Sequence, residues 1–175
     1  NKSTSYYGNI VALDESPLEE GVLYVGTDDG LIQVTRDGGE TWQKYEKFDG
    51  VPENAYVHSV TASLFEKGTV YACFDRRKQD DLKPYVRVSR DYGKSWQDIP
   101  GDLPERGTAY CLRQDDVDRD LLFVGTEFGV FFTVDGGAKW TRLKAGIPVI
   151  KVPDLEIQRR EHDLVRSIME ESPVG

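Results

Sequence analysis

Short apolar runs, cut at regular intervals by glycine, aspartate and proline, cover most of this chain. Val22-Leu23-Tyr24-Val25 is followed by Gly26-Thr27-Asp28-Asp29-Gly30 and then by Leu31-Ile32-Gln33-Val34. Leu121-Leu122-Phe123-Val124 leads through Gly125-Thr126-Glu127-Phe128-Gly129 to Val130-Phe131-Phe132. Two β-rich runs joined by a glycine-containing turn predict a hairpin. Upstream of these lie Ile10-Val11-Ala12-Leu13 and Ala109-Tyr110-Cys111-Leu112, each followed by an acidic or proline-bearing turn. Each unit therefore reads as four strands, here named A to D, with a glycine turn between B and C.

The C–D turn carries the most specific pattern. Thr35-Arg36-Asp37-Gly38-Gly39-Glu40-Thr41-Trp42, Ser89-Arg90-Asp91-Tyr92-Gly93-Lys94-Ser95-Trp96 and Thr133-Val134-Asp135-Gly136-Gly137-Ala138-Lys139-Trp140 share the form (Ser/Thr)-x-Asp-x-Gly-x-x-Trp. The three tryptophans of the chain all stand at its last position. Asp37, Asp91 and Asp135 are short acceptors able to bind nearby backbone N–H groups and hold a turn. Gly39, Gly93 and Gly137 supply a positive φ that a side chain resists. Trp42, Trp96 and Trp140 open strand D and are expected to be largely buried beside their turns. The residues thus read as hairpin staples, because a chemical site has no need to recur in every hairpin. Four-stranded units repeated at this period predict an all-β fold of propeller blades.

The middle unit is longer. Asp37 and Asp91 are 54 positions apart, Asp91 and Asp135 only 44. Most of the excess falls between Asp75 and Pro84, a B–C turn dense in charge of both signs. Such insertions map to loops and often to a binding face. After the third unit, Val149 to Gln158 reads as the first strand of a fourth, with Arg159 to Val165 as its turn and second strand. An alternative places a short amphipathic helix over Asp163 to Glu171, with Leu164, Val165, Ile168 and Met169 on one side.

The chain has 175 residues, enough for one domain with a real core, and its 17 glycines suit a turn-rich β protein. The net charge of −9, with no basic stripe, argues against nucleic acid as a partner. No stretch of 18 apolar residues is present, so no membrane-spanning helix is expected. Cys73 and Cys111 match no zinc spacing; buried free thiols are favoured over a disulfide between adjacent units. His58 and His162 stand alone, without ligand spacing, and read as surface or satisfied histidines. No metal or cofactor is predicted.

The three boxes resemble the Asp-box, or BNR repeat, of sialidases and sortilins. From about Tyr7 to Val165 the chain is similar to the C-terminal part of sortilin-like, glycosyl hydrolase-like BNR propellers of large secreted or cell-envelope proteins. The resemblance implies a single partial propeller domain over 1–175. Blade one covers about 7–48, blade two 55–100, blade three 107–145, and the start of a fourth with its tail 149–175. It implies a secreted, periplasmic or envelope location. Rings hold about four to eight blades, so the chain is expected to be a C-terminal piece of a longer propeller, with self-association through its open flanks. In a propeller the A strand lines the axis, and the B–C and D–A turns share one face. That face would collect Asp28, Asp29, Asp75, Arg76, Arg77, Asp80, Asp81, Lys83 and Glu127. The expected function is noncatalytic binding of protein or carbohydrate. The alternatives are a sialidase-like glycoside hydrolase fragment, whose Arg-Ile-Pro motif is not found in this sequence, and a purely structural domain.

Overall fold

A computed structural model describes residues 8–99, 101–144, 149–158 and 163–167. Three four-stranded antiparallel sheets follow one another along the chain, and each is a simple meander. The first contains β1 (Ile10–Glu15), β2 (Leu23–Thr27), β3 (Ile32–Thr35) and β4 (Gln43–Tyr45). The second contains β5 (Tyr56–Ala62), β6 (Val70–Arg76), β7 (Asp81–Ser89) and β8 (Gln97–Asp98). The third contains β9 (Ala109–Gln114), β10 (Leu122–Thr126), β11 (Gly129–Thr133) and β12 (Thr141–Arg142). β13 (Asp154–Gln158) and β14 (Asp163–Ser167) pair as the opening of a fourth unit. The proposed helix over 163–171 is therefore corrected for its first part: Asp163–Ser167 is a strand, paired residue for residue with β13. The rest of that segment lies outside the described residues. No helix among the described residues is long and apolar enough to cross a membrane.

The core lies between sheets. In the middle strand β6, alternate residues serve two different interfaces. Val70, Ala72 and Phe74 face the first sheet, where they meet Tyr24, Ile32 and Val34. Tyr71 and Cys73 face the third, where they meet Leu112, Leu122 and Val124. A strand buried on both faces reads as a continuous apolar run, which is what Val70–Phe74 is. The third interface joins Cys111 and Val130 to Val152 and Leu155. Close approach of the sheets explains one glycine per outer unit. A Cβ on Gly26 would lie 2.4 Å from Val57 Cγ1, and one on Gly125 would lie 2.5 Å from the Val152 carbonyl oxygen.

The box tryptophans bridge blades as well as turns. Trp96 packs edge-on against Phe48 of the first blade, with ring centroids 5.5 Å apart, and it belongs to the core between blades one and two. Trp140 donates its indole N–H to the Ile99 carbonyl of blade two, at 3.0 Å. Trp96 and Trp140 are 7% and 5% exposed, but Trp42 is 43% exposed. This corrects the expectation that all three are buried: among the described residues nothing precedes blade one to cover Trp42.

Both cysteines are buried free thiols, and burial pushes each up to about 12.

Candidate functional site

Each A strand departs from regular pairing at one residue. The register of β1 on β2 skips Val11, that of β5 on β6 skips His58, and that of β9 on β10 skips Tyr110. A one-residue bulge of this kind re-aims a side chain out of the normal alternation. Here the three bulged residues occupy the same place in successive blades. Together they line a recess of about 270 Å³ that also includes Arg113 and Pro153. His58 and Tyr110 meet edge to face, with centroids 4.9 Å apart, and Tyr56 lies 5.7 Å from His58.

His58 also lines a second cavity, of about 320 Å³, between blades one and two. Its other walls include Asp28 from the first B–C turn, Asn54 and Tyr56 from the D–A passage, and Asp75 and Arg77 from the second B–C turn. The turns that supply these residues therefore share one face.

The electrostatics of the cluster are specific. Asp75 is buried and accepts from the Arg77 backbone N–H at 2.7 Å and from Arg77 Nε at 2.8 Å. The Arg77 guanidinium lies 4.9 Å from the centre of the Tyr110 ring, and Lys151 Nζ lies 4.7 Å from it. Tyr110 is fully buried and donates its hydroxyl proton to the Glu127 carboxylate. Burial first, and then that carboxylate, push the phenol above its ordinary value. Burial holds His58 below the usual histidine value. Asp75 pulls it up, while Arg77 and Lys151 press it further down. The imidazole is thus neutral near pH 7. Asp28 accepts from the Asn9 backbone N–H at 2.8 Å and from Asn9 Nδ2 at 2.9 Å. The Asn9 side chain and then its backbone hold Asp28 below the usual carboxylate value.

The nine residues expected on one binding face separate into several groups. Asp28, Asp75 and Arg77 share the cavity. Glu127 joins through Tyr110. Asp29 turns back to accept the Thr27 hydroxyl at 2.5 Å. Arg76 reaches the Glu53 carbonyl. The long B–C connection is an extended hairpin closed by a single 3₁₀ turn over Arg77–Gln79, and Asp80 ends that turn at φ 58°. This geometry carries Asp80, Asp81 and Lys83 away to another recess, of about 720 Å³, walled by Tyr85, Arg87 and Leu103.

Sequence reasoning missed Tyr56, His58, Tyr110 and Lys151. A signal was present. Val57, Val60 and Ala62 are the buried residues of β5, and Ala109 and Leu112 correspond to the first two in β9. In β5, apolar spacing of three and then two, where alternation demands two and two, marks a bulge and points to His58; in β9 the run Ala109 to Leu112 is apolar and buried throughout, and Tyr110 is found only through its equivalence to His58.

The box residues lie in the C–D turns. In the first, Asp37 accepts from Thr35 Oγ1 at 2.7 Å and from the Thr41 N–H at 2.9 Å, while the Gly39 N–H reaches Thr35 Oγ1 at 2.9 Å. Asp91 with Gly93, and Asp135 with Gly137, repeat these contacts.

The BNR/Asp-box repeat family model matches residues 33–44. An oligoxyloglucan-reducing end-specific xyloglucanase from Emericella nidulans is 29% identical over 87 residues, which is 49% of this chain and 10% of that protein. The structure of YCF48 from Cyanidioschyzon merolae is similar at a TM-score of 0.59 and 22% identity, over 78% of this chain and 37% of that one. A structure of YCF48 bound to D1 peptide gives a TM-score of 0.63 at 19% identity, over 85% of this chain and 44% of that one. The chain thus spans less than half the length of each of these relatives.

Proposed function

The chain is a β-propeller segment carrying Asp-box repeats, and from that premise we propose that it is a noncatalytic binding module of a larger secreted or cell-envelope protein. Its ligand, a protein segment or a carbohydrate, occupies the cavity between blades one and two. The observation that carries this reading is the placement of His58 and Tyr110. Two successive A-strand bulges bring them together, and His58 opens onto a cavity with Tyr56, Asn54 and Arg77. Aromatic faces interleaved with hydrogen-bonding groups suit a ligand that is held by stacking and oriented by a few polar contacts. The peptide bound by YCF48 supports a protein ligand on this fold. The xyloglucanase likeness keeps a carbohydrate in view.

A glycosidase needs one carboxyl group that stays protonated and a second that acts as base or nucleophile. Asp28 is held low by Asn9, and both oxygens of Asp75 are engaged by Arg77. These carboxylates act as acceptors that hold the walls. The box aspartates serve as turn staples, remote from the ligand. A panel of peptides and oligosaccharides titrated calorimetrically into the purified chain tests the reading. Binding that disappears in Tyr56→Ala and His58→Ala, with the fold intact by circular dichroism, is expected. Turnover of fluorogenic glycosides that is abolished by Asp75→Asn would replace the binding module with an enzyme.

A second reading concerns the flank of blade one. Leu13 and Trp42 stand exposed there, and apolar area of this kind favours association at roughly 25 cal/mol per Å². Sedimentation should show concentration-dependent self-association of the chain, and weaker association after Leu13→Gln with Trp42→Gln. A monomer at every concentration removes this reading without touching the first.

A further inference from the structure

Around the cavity, the acceptors and donors differ in how far they are already used. Each acceptor already holds at least one donor. Asp28 takes two hydrogen bonds from Asn9, one on each oxygen. Asp75 takes two from Arg77, again one on each oxygen. Glu127 takes the Tyr110 hydroxyl. The cations are in the opposite condition. Arg77 meets Asp75 through its backbone N–H and Nε, and its two terminal amino groups have no hydrogen-bond partner among the described residues. Its side chain is more than a third exposed. Lys78 lines the same cavity and makes no ion pair among the described residues. Lys151 stands beside the cavity and not in its wall: it rests on the Tyr110 ring that Arg77 also approaches, and it likewise has no carboxylate within ion-pair distance among the described residues.

Formal charge alone describes this cluster as balanced. The unused hydrogen-bonding capacity is donor-rich. A ligand that brings acceptors with negative charge completes Arg77, Lys78 and Lys151 without displacing an existing bond, whereas a cationic ligand meets carboxylates that already share their charge with Asn9, Arg77 and Tyr110. The guanidinium fork also matches a carboxylate in shape, so its open edge can take two parallel hydrogen bonds. His58 is neutral beside it and adds no competing charge.

Resting on the binding-module reading, we infer that the cavity takes an acidic peptide, whose carboxylates are held by Arg77 with Lys78 and Lys151. The three cations come from two separate stretches of chain, the 3₁₀ turn after β6 and the approach to β13. Arg77 and Lys151 both lie against the one Tyr110 ring. A chain with carboxylates on more than one residue can meet several of them together, and a single sugar ring carries one. The ring that both cations approach is itself fixed, since Tyr110 is buried and its hydroxyl is tied to Glu127.

The test uses the whole chain and calorimetric titration with three probes. These are a short Glu/Gly/Ser peptide, the same peptide with Gln for Glu, and an oligogalacturonate. The Glu peptide should bind and the Gln peptide should not. Lys78→Gln and Lys151→Gln should each weaken binding about two- to fivefold, as exposed charge contacts do. Arg77→Lys keeps the charge beside Asp75 but loses the fork, and should weaken binding about tenfold. Removing the arginine altogether would strand the buried Asp75, which is why the conservative variant is chosen. Equal binding of the Glu and Gln peptides, or indifference to all three substitutions, overturns the inference. Tighter binding of the oligogalacturonate overturns it in favour of an acidic glycan. If neither acidic probe binds while a neutral ligand binds in a Tyr56-dependent way, the carboxylate inference falls and the binding-module reading stands. If nothing in either panel binds, both fall.

Discussion

Blade one and its two successors present equivalent apolar positions to different surroundings. Ile10, Val57 and Ala109 hold one register position in the three A strands, and Leu13, Val60 and Leu112 hold another. Val57, Val60, Ala109 and Leu112 are buried, whereas Ile10 and Leu13 are 66% and 60% exposed. Trp42 differs from Trp96 and Trp140 in the same sense. Strand pairing and box hydrogen bonds are nevertheless alike in all three blades. The box therefore does two separable things. Its Ser/Thr and Asp close a turn locally, whatever the neighbours. Its Trp donates its N–H within its own turn in the first two boxes, to Gly39 and Gly93, and packs against a second blade only where a preceding blade meets it, as Phe48 meets Trp96.

Substituting the tryptophans should break or confirm this division most visibly. Trp96→Ala and Trp140→Ala should each cost about 3–5 kcal/mol, the range for removing a buried aromatic. Trp42→Ala should cost less than about 1 kcal/mol. Urea denaturation of the three variants decides. Equal losses would show that the indole belongs to its own hairpin and that exposure in blade one is irrelevant.

The turn half of the box should behave oppositely, independent of position along the chain. Asp91 accepts the Ser95 N–H at 2.8 Å and the Ser95 hydroxyl at 2.6 Å. Asp91→Ala should destabilise by about 1–3 kcal/mol, because these donors lose their acceptor. Acid should act in the same direction. The Thr41 hydroxyl, then its N–H, hold Asp37 down to about 2, against an ordinary value of 3.8. The Thr133 hydroxyl, then the Lys139 N–H, hold Asp135 low. A depressed carboxylate stabilises the fold fully above its unfolded value. That contribution fades as the pH falls from 3.8 toward about 2. Hydrogen exchange of the Thr41 and Lys139 amides through this range should show both turns loosening together. Loosening of one box alone would tie its stability to a neighbour.

The smallest effect is expected at Tyr92. The equivalent residues Gly38 and Gly136 have φ of 70° and 71°, and Tyr92 adopts 61° with a full side chain. A left-handed tyrosine costs about 1–2 kcal/mol. Its ring, however, stacks under Arg36 at 3.8 Å and its hydroxyl donates to Glu19 at 2.8 Å. Tyr92→Gly should therefore change stability by less than about 1 kcal/mol, the relief of strain offsetting the lost contacts with blade one. A large loss would make Tyr92 a second bridge between blades, comparable to Trp96.

The fold was legible because the box repeats. Three copies fixed the C–D turns, and the glycine-bearing runs before them fixed strands B and C. The candidate site was less legible for two reasons. Tyr56-Val57-His58-Ser59-Val60 reads as one more β-rich run, and only the spacing of three between Val57 and Val60 betrays the bulge. In addition, the partners of His58 come from Arg77, Tyr110 and Lys151, so a histidine that stands alone in sequence is crowded in space. The charge-rich stretch from Asp75 to Pro84 drew attention to the right blade. Its tip then sorted the residues, leaving Asp75 and Arg77 beside the cavity and sending Asp81 and Lys83 elsewhere.

The A-strand bulges have a consequence for how such a molecule can change over generations. A bulged residue stands outside the regular alternation of its strand, and its side chain is re-aimed. Val57 and Val60 are buried on either side of His58. At 11 and 58 the bulged side chain is only partly buried, so a substitution there alters the recess at less cost to packing than at 110, where Tyr110 is fully buried and bonded to Glu127. This chain carries valine, histidine and tyrosine at those three places. An apolar wall, a titratable ring and a hydroxyl-bearing aromatic have been set into one repeated scaffold. The tryptophans and aspartates that define the repeat stand in other turns and remain as they are.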